Sequence, residues 1–202
     1  MTIKGIDISH WNKVRDFNMV KYSGIDFVII KAGGSDKGFY QDRYFNDYYR
    51  LARLAGLKVG AYYFVGPRFI SYEDGVADAQ RFLRILNGRE LDYPACLDLE
   101  STSPKDKIGV TEASIAFMET VKKGGYLPMI YASDVSGFSE RLNLNDLKDF
   151  DKWVARYGKK PQIVKDVKIW QKSSNGSVPG IEGNVDLNVS YFDYGGMKNG
   201  NS

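Results

Sequence analysis

The chain is poor in the side chains that most often carry redox and metal chemistry. Its 202 residues include one cysteine, Cys96, and one histidine, His10. A single cysteine cannot close an intrachain disulfide, and one histidine without a partner cysteine does not predict a zinc site. Cys96 lies in an apolar segment, which indicates a space-filling role in the core. We therefore expect neither a metal nor another cofactor.

Long apolar runs and dense basic clusters are also missing. No segment approaches the roughly 20 apolar residues that cross a bilayer, so we expect no membrane partner. The net charge of +3 is small and dispersed, which disfavours nucleic acid as a partner but suits an anionic surface. Residues 1–5 show no basic region followed by an apolar one, so the sequence predicts no secretory signal.

Short apolar segments alternate with helical patterns over the first two-thirds of the chain. The apolar segments predict five strands, at residues 3–8, 26–32, 58–64, 94–100 and 127–132. Apolar residues at helical spacing predict helices at residues 16–22, 44–55, 73–86 and 111–123, the last with Thr111 as its N-cap. Continuous apolar strands that alternate with helices are typical of parallel βα units.

The last third of the chain keeps its strands and loses its helices. Residues 152–157, 167–171 and 184–188 predict three more strands, with connections too short or too rich in Gly, Pro and Ser for full helices. Eight strands with about five helices favour a βα barrel, and the chain length suits one such domain. We expect residues 1–194 to form this barrel and residues 195–202, rich in Gly and Asn, to form a linker or tail.

The strand predicted at residues 94–100 carries the strongest chemical signal. Side chains of a strand alternate between two faces, so Cys96, Asp98 and Glu100 share one face. Neighbouring carboxyls at the end of an apolar strand disfavour each other's ionisation, and burial adds to the effect. Such a pair can supply one raised and one ordinary pKa, as acid-catalysed glycoside cleavage requires. An isolated Asp-x-Glu is more often typical of a strand that ends in a solvated loop, so the rest of the chain has to decide.

The barrel would bring further polar residues to the same place, because the C-terminal ends of its strands open onto one face. Strand one contributes Asp7 and strand eight contributes Asp186, and these two strands are neighbours in a closed barrel. Aromatic rings and an amide, suited to the faces and hydroxyl rims of sugars, occupy comparable positions at Tyr62, Tyr131, Trp153 and Gln171. Each residue alone is more typical of core packing or of a turn, so the signal lies in their convergence.

These segments resemble glycoside hydrolase family 25, the Chalaropsis-type lysozymes. The matching motifs are GIDIS from residue 5, FVIIKA from 27, GAYYF from 60, LDLE from 97, WVARY from 153, and WQ, NGSVPGI and VDLN between 170 and 188. The resemblance covers residues 4–191 and implies an α/β fold, an irregular TIM-like barrel of five βα units followed by three β-strands. One departure is Tyr63, where many members have a histidine.

The resemblance also implies hydrolysis of the β-1,4 bond between N-acetylmuramic acid and N-acetylglucosamine in bacterial peptidoglycan. Carried over, Glu100 is the general acid and Asp98 orients and stabilises the reacting centre, while Asp7 and Asp186 line the site. Four residues would contact sugar: Tyr62, Tyr131, Trp153 and Gln171. We expect burial and Asp98 to keep Glu100 protonated near neutral pH. Retention and inversion both stay open, and we favour a net-retaining route assisted by the substrate's 2-acetamido group.

Two other functions stay open. A non-catalytic barrel that binds cell-wall glycans would have the same architecture, although the intact set of acids disfavours it. A chitinase-like hydrolase typically has Asp-x-x-Asp-x-Glu on its acidic strand, and here Ala95 replaces the first acid. The expected place of action is the bacterial cell wall, reached by a phage endolysin through holin release or by a secreted autolysin whose leader has been removed. We expect this domain to be a monomer.

Overall fold

Eight strands close into a barrel in the computed structural model, which describes residues 2–197. They are β1 (Ile3–Ile8), β2 (Phe27–Gly34), β3 (Lys58–Phe64), β4 (Ala95–Asp98), β5 (Pro128–Ser133), β6 (Asp151–Ala155), β7 (Val167–Gly176) and β8 (Val185–Ser190). The order around the barrel is β1-β8-β7-β6-β5-β4-β3-β2, and β1 pairs with β2 to close it. The predicted α/β barrel is thereby confirmed.

The strands do not all run the same way. From β1 through β2 to β7 every neighbouring pair is parallel, whereas β8 runs antiparallel to both β1 and β7. The register pairs Asp7 of β1 with Asp186 of β8. Asp186 therefore reaches the mouth of the barrel from the N-terminal end of its strand. The expectation that it would come from a C-terminal end was wrong.

Helices cover the outside of the first half of the barrel. They are α1 (Phe17–Tyr22), α2 (Phe45–Leu54), α3 (Tyr72–Leu86) and α4 (Lys107–Lys123). Local signals explain two of the starts: Asp16 accepts hydrogen bonds from the backbone of Asn18 and Met19, and Ser71 accepts one from Asp74. No helix in residues 2–197 has the length and apolarity of a membrane span.

A fifth α-helix between β5 and β6 is not found in the described residues, so the count of five βα units is not confirmed. A π-helical turn at Asp134–Ser139 and a 3₁₀ turn at Leu144–Leu147 take its place. The predicted N-cap at Thr111 was also wrong. A 3₁₀ turn at Pro104–Asp106 leads into α4, Ser103 caps that turn, and the Thr111 hydroxyl donates to the Lys107 carbonyl inside the helix. The Ser-Pro pair was the better start signal.

Two apolar layers result from the alternation of side chains along the strands. One lies between the strands and the helices, and includes Val28, Leu97 and Ile130. The other fills the barrel interior, and includes Phe27 and the fully buried Cys96, as its apolar segment predicted. Gly5 is required here, because a Cβ at this position would lie 2.3 Å from the Phe27 ring.

A last helical turn, α5 (Tyr194–Met197), closes the end of the barrel opposite the mouth. The Tyr194 hydroxyl donates to Asp151 Oδ2 at 2.7 Å, and its ring packs edge-on against Tyr93. Residues 195–197, which we expected to begin the tail, thus form part of this turn, and residues 198–202 lie outside the described residues.

Candidate active site

A cavity of about 490 Å³ opens at the mouth of the barrel. All eight residues singled out in the sequence line it: Asp7, Tyr62, Asp98, Glu100, Tyr131, Trp153, Gln171 and Asp186. They come from seven of the eight strands and from the loop after β4, so the closed barrel brings them together. No group of three or more His, Cys, Asp or Glu side chains in residues 2–197 could hold a metal ion.

Of the four acids, Asp7 is the one that two buried side-chain amides hold by hydrogen bonds. Its Oδ2 accepts hydrogen bonds from Gln171 Nε2 at 2.9 Å and from Asn188 Nδ2 at 2.6 Å. Burial holds the pKa of Asp7 well above its usual range, the charge of Asp186 adds to this rise, and the two amide donors act against it. Burial also raises the pKa of Asp186. The pair therefore resists carrying two negative charges at once.

The side-chain amides of Gln171 and Asn188 are buried between the Asp7 carboxyl and three aromatic side chains. Gln171 Oε1 accepts from the hydroxyls of Tyr131 at 2.9 Å and Tyr157 at 3.1 Å. Asn188 Oδ1 accepts from the Trp153 indole at 2.8 Å. Because each amide oxygen is held by an aromatic donor, each amide nitrogen is directed to Asp7. Asn188 and Tyr157 were not singled out in the sequence, although Asn188 shares the strand face of Asp186.

Asp98 and Glu100 differ in exposure, in the opposite sense to our expectation. Strand β4 ends at Asp98, which is buried, and its Oδ1 has no hydrogen-bond partner among the described residues. Burial raises the pKa of Asp98 well above its usual range, Glu100 adds to the rise, and Lys31 opposes it. Glu100 lies beyond the strand and is exposed at the cavity edge. Burial therefore acts on Asp98, and the predicted burial of Glu100 was wrong.

With this geometry in view, comparison with known proteins decides the family. The chain matches the model of glycosyl hydrolases family 25 over residues 6–181. It belongs to that family. The predicted resemblance is thereby confirmed.

Relatives of this family 25 chain include named lysozymes. It is 32% identical to the autolytic lysozyme of Clostridium acetobutylicum over 92% of its own length and 55% of that protein. It is 28% identical to lysozyme M1 of Streptomyces globisporus over 92% of its length and 67% of that protein. The chain thus spans about half of the autolytic lysozyme.

Solved structures show the same architecture. The CTP1L endolysin superposes with a TM-score of 0.84 at 26% identity, covering 99% of this chain and 70% of that one. The autolysin LytC from Streptococcus pneumoniae, in complex with a synthetic peptidoglycan ligand, superposes with a TM-score of 0.79 at 26% identity, covering 94% and 47% of the two chains.

Lys31 also lines the cavity. It is buried, and its ammonium lies 4.4 Å from the centre of the Phe64 ring, with Tyr40 at 5.6 Å and Tyr62 at 5.9 Å. Aromatic faces stabilise a cation that has left water. Among the described residues Lys31 is the only cation lining this family 25 cavity. Its one sequence signal was a lysine inside an otherwise apolar strand.

Trp11 also lines the cavity and was not predicted. Its side chain is 80% exposed, so it contributes little to the core. The His10 ring packs against it at 4.5 Å between centroids, and His10 Nδ1 lies 2.6 Å from Asp42 Oδ2. The buried carboxyl of Asp42 thus anchors a pair of rings, tilted by 39° to each other, whose outer ring faces solvent at the cavity rim.

Two further cavities adjoin the central one and extend it across the mouth. A cavity of about 640 Å³ shares Asp36 with it, and a cavity of about 350 Å³ on the other side shares Glu100. The three together form a trough that crosses the barrel, with Glu100 at one of the junctions. A trough of this kind suits a polymer better than a single small molecule.

Proposed function

We propose that this chain hydrolyses the β-1,4 bond between N-acetylmuramic acid and N-acetylglucosamine in bacterial peptidoglycan. The observation that carries the proposal is the meeting of Asp7, Asp98, Glu100 and Asp186 in one cavity, although they are spread over nearly the whole chain. Paired carboxyls at one site are the machinery of glycoside cleavage. The names of its relatives, an autolytic lysozyme and an autolysin with a peptidoglycan ligand, support the same substrate.

Glu100 is the proposed general acid. Its exposed position at a junction of the trough leaves it accessible to the glycosidic oxygen of a bound polymer. A glycan lying over Glu100 would exclude water, and this favours the protonated carboxyl that must donate. Proton transfer from a positioned acid contributes roughly 10²-fold to 10⁴-fold to the rate.

Asp98 is proposed to hold the substrate's 2-acetamido group. Its buried Oδ1 lacks a partner in the described residues and can accept the acetamido N–H. The acetamido oxygen then attacks the anomeric carbon while the leaving oxygen takes the Glu100 proton, and the bond between the two sugars breaks. The resulting oxazolinium ring keeps its N–H, which stays hydrogen-bonded to Asp98. Water then opens this ring and returns a proton to Glu100, so that the configuration is retained. Burial raises the pKa of Asp98 on balance, and Lys31 opposes this rise and so partly restores the ionised form that this step uses.

The remaining predicted residues are proposed to bind and orient sugar. Tyr62, Tyr131 and Trp153 form an aromatic wall, in which the rings of Tyr131 and Trp153 lie 4.5 Å apart. Gln171 is fixed by Asp7, and Asp186 stands at the half-buried rim. Rigid side chains lose little entropy when they bind, which suits them to positioning.

We further propose that residues 1–194 form the catalytic unit and act as a monomer on the cell wall. The four acids and the aromatic side chains of the cavity all come from one chain, so the proposed chemistry needs no group from a second copy. The printed names of an autolytic lysozyme and an endolysin among the relatives support the wall as the place of action.

The test compares the wild type with Glu100→Gln on purified peptidoglycan, with product analysis of new reducing ends. We expect ends at muramic acid from the wild type and a loss of at least about a hundredfold in the variant. Glu119→Gln, an exposed glutamate on α4, is the matched control and should keep full activity.

Other outcomes would contradict the proposal. Equal activity of Glu100→Gln and wild type would remove Glu100 from the general-acid role. Wall binding without cleavage would favour the non-catalytic glycan-binding barrel, and cleavage of chitin in place of peptidoglycan would favour a chitinase-like hydrolase.

A further inference from the structure

The largest of the three cavities, about 640 Å³, lies at the end of the trough beyond Asp36. It is formed by the loops that follow β2 and β3 and by the first turns of α3: Ser35, Lys37, Phe39, Arg68, Asp74 and Asp78 are among its lining residues. The proposed sugar contacts and the proposed catalytic pair do not extend into it. This cavity therefore adjoins the proposed catalytic site without containing its residues, and we call it the side cavity.

Part of the charge in this cavity is already neutralised. Asp78 accepts from the Ser35 hydroxyl at 2.7 Å and from Arg81 Nη1 at 2.9 Å. Asp74 accepts from the backbone of Ile70 and from the Ser71 hydroxyl at the start of α3. These groups therefore belong to the frame of the cavity.

Three other groups are left for a ligand. Lys37 and Arg68 are exposed, and neither lies within 4.0 Å of a carboxylate in the described part of the chain. Asp36 lines both this cavity and the central one, and its Oδ1 is buried without a hydrogen-bond partner in residues 2–197. A ligand in this cavity would therefore supply a negatively charged group to Lys37 and Arg68 and a hydrogen-bond donor to Asp36 Oδ1.

A further sugar ring does not meet these requirements. In a peptidoglycan strand the lactyl carboxyl of muramic acid is bound to the peptide as an amide, so the sugar ring itself carries no negative charge to match Lys37 and Arg68. The exposed ring of Phe39 is the aromatic surface that could stack on a sugar, but the Arg81 guanidinium lies 5.7 Å from its centre. The cavity therefore differs in chemistry from the aromatic wall of the central site.

We infer that this side cavity binds the peptide that muramic acid carries on its lactyl group, an inference that rests on the proposed function. Such a stem peptide is acidic, so its carboxylates can face Lys37 and Arg68. Its amide N–H groups supply the donor that Asp36 Oδ1 lacks at the junction with the sugar site. The enzyme thus recognises the peptide as well as the glycan at the muramic acid position.

The experiment compares two substrates prepared from one batch of uncross-linked peptidoglycan: strands that keep their stem peptides, and strands from which an amidase has removed them. Reducing ends give kcat/KM on each. We expect the wild type to prefer the peptide-bearing strands, and Lys37→Ala/Arg68→Ala to lower that preference about tenfold. On strands without stem peptides, the kcat/KM of the double variant should stay within about twofold of the wild-type value.

A matched control and a salt series sharpen the test. Lys122→Ala/Lys123→Ala removes two exposed lysines at the C-terminal end of α4, away from the mouth, and should keep the wild-type preference. Because exposed charges are screened within about 3 Å at 1 M salt, high salt should lower the preference of the wild type toward that of the double variant. Equal rates of the wild type on both substrates would overturn the inference, as would an unchanged preference in Lys37→Ala/Arg68→Ala.

Failure of the proposed function gives a different result, since it means that neither substrate is cleaved. A binding measurement then decides the inference alone, with Glu100→Gln titrated with a soluble muramoyl peptide and with N-acetylmuramic acid. Tighter binding of the peptide, lost when Lys37 and Arg68 are also replaced, supports the inference. Equal affinity for the two ligands refutes it.

Discussion

Two layers of side chains fill the interior of this barrel, an apolar layer below and a polar layer at the mouth. The lower layer is apolar and includes Cys96 and Ile169. Two residues further along the same strands, at the mouth, stand Asp98 and Gln171. A step of two residues keeps a side chain on the same face, so one strand supplies both layers.

The contrast shows where stability and chemistry reside. Burial of the lower layer removes apolar surface from water and stabilises the fold. Burial of the mouth raises the pKa values of Asp7 and Asp98, which means that their charged forms cost free energy there. A catalytic site commonly carries such a cost, and the surrounding fold offsets it. Variants in the two layers should therefore behave in opposite ways.

The largest effect is expected from Asp98→Asn, which removes a charge at the mouth and keeps its shape. We expect kcat on peptidoglycan to fall by roughly 10²-fold to 10³-fold, the range for the loss of one electrostatic stabiliser. The melting temperature should stay equal or rise, because a buried group with a raised pKa is lost. A pH–rate profile identical in shape and height to that of the wild type would rule out the proposed role of Asp98.

Ile169→Ala changes the apolar lower layer and should lower stability while leaving activity unchanged. Ile169 is fully buried, so truncation should reduce the free energy of unfolding by about 2 to 5 kcal/mol. Denaturant titration measures this loss, and activity per folded molecule should remain close to that of the wild type. Ile108→Ala, on the exposed side of α4, is the control and should change stability little. A lower kcat in the folded Ile169→Ala protein would contradict the assignment of stability to the apolar layer and of chemistry to the mouth.

Asp7→Asn should stabilise the protein in a pH-dependent way. Because the pKa of Asp7 is raised in the folded state, folded Asp7 keeps a proton that the unfolded chain releases, and the free energy of unfolding falls as pH rises through that window. Asparagine does not ionise, so the variant avoids the fall, which amounts to about 1.4 kcal/mol per pKa unit. Thermal unfolding should show the gain at pH 7 and none near pH 3. A variant less stable at both pH values would contradict this.

The smallest effect is expected at the rim, from Trp11→Ala. If the exposed ring stacks on sugar, its loss should raise KM about threefold to tenfold and leave kcat unchanged, the size expected for one aromatic contact. The melting temperature should not move. Tyr22→Ala, equally exposed on α1, is the control for a ring outside the trough. Identical KM values for all three proteins would remove Trp11 from the binding surface.

The sequence by itself determined the eight barrel strands, the α/β class and eight of the side chains that meet at the mouth. These depend on local regularities. Alternation with period two places Asp98 above Cys96, and apolar segments between helical patterns mark the strands before and after them. The motifs that resemble family 25 add their order along the chain, which survives at low overall identity.

Only the tertiary structure decided direction and burial. Strand β8 follows β7 after a short connection and pairs antiparallel with it, but its second partner, β1, comes from the other end of the chain and meets it only when the barrel closes. Likewise, Asp98 is buried and Glu100 exposed because β4 ends between them, while the three rings around Lys31 come from two separate segments. Desolvation is set by all neighbours in space, and therefore the raised pKa values of Asp7 and Asp98 became visible only in the closed barrel.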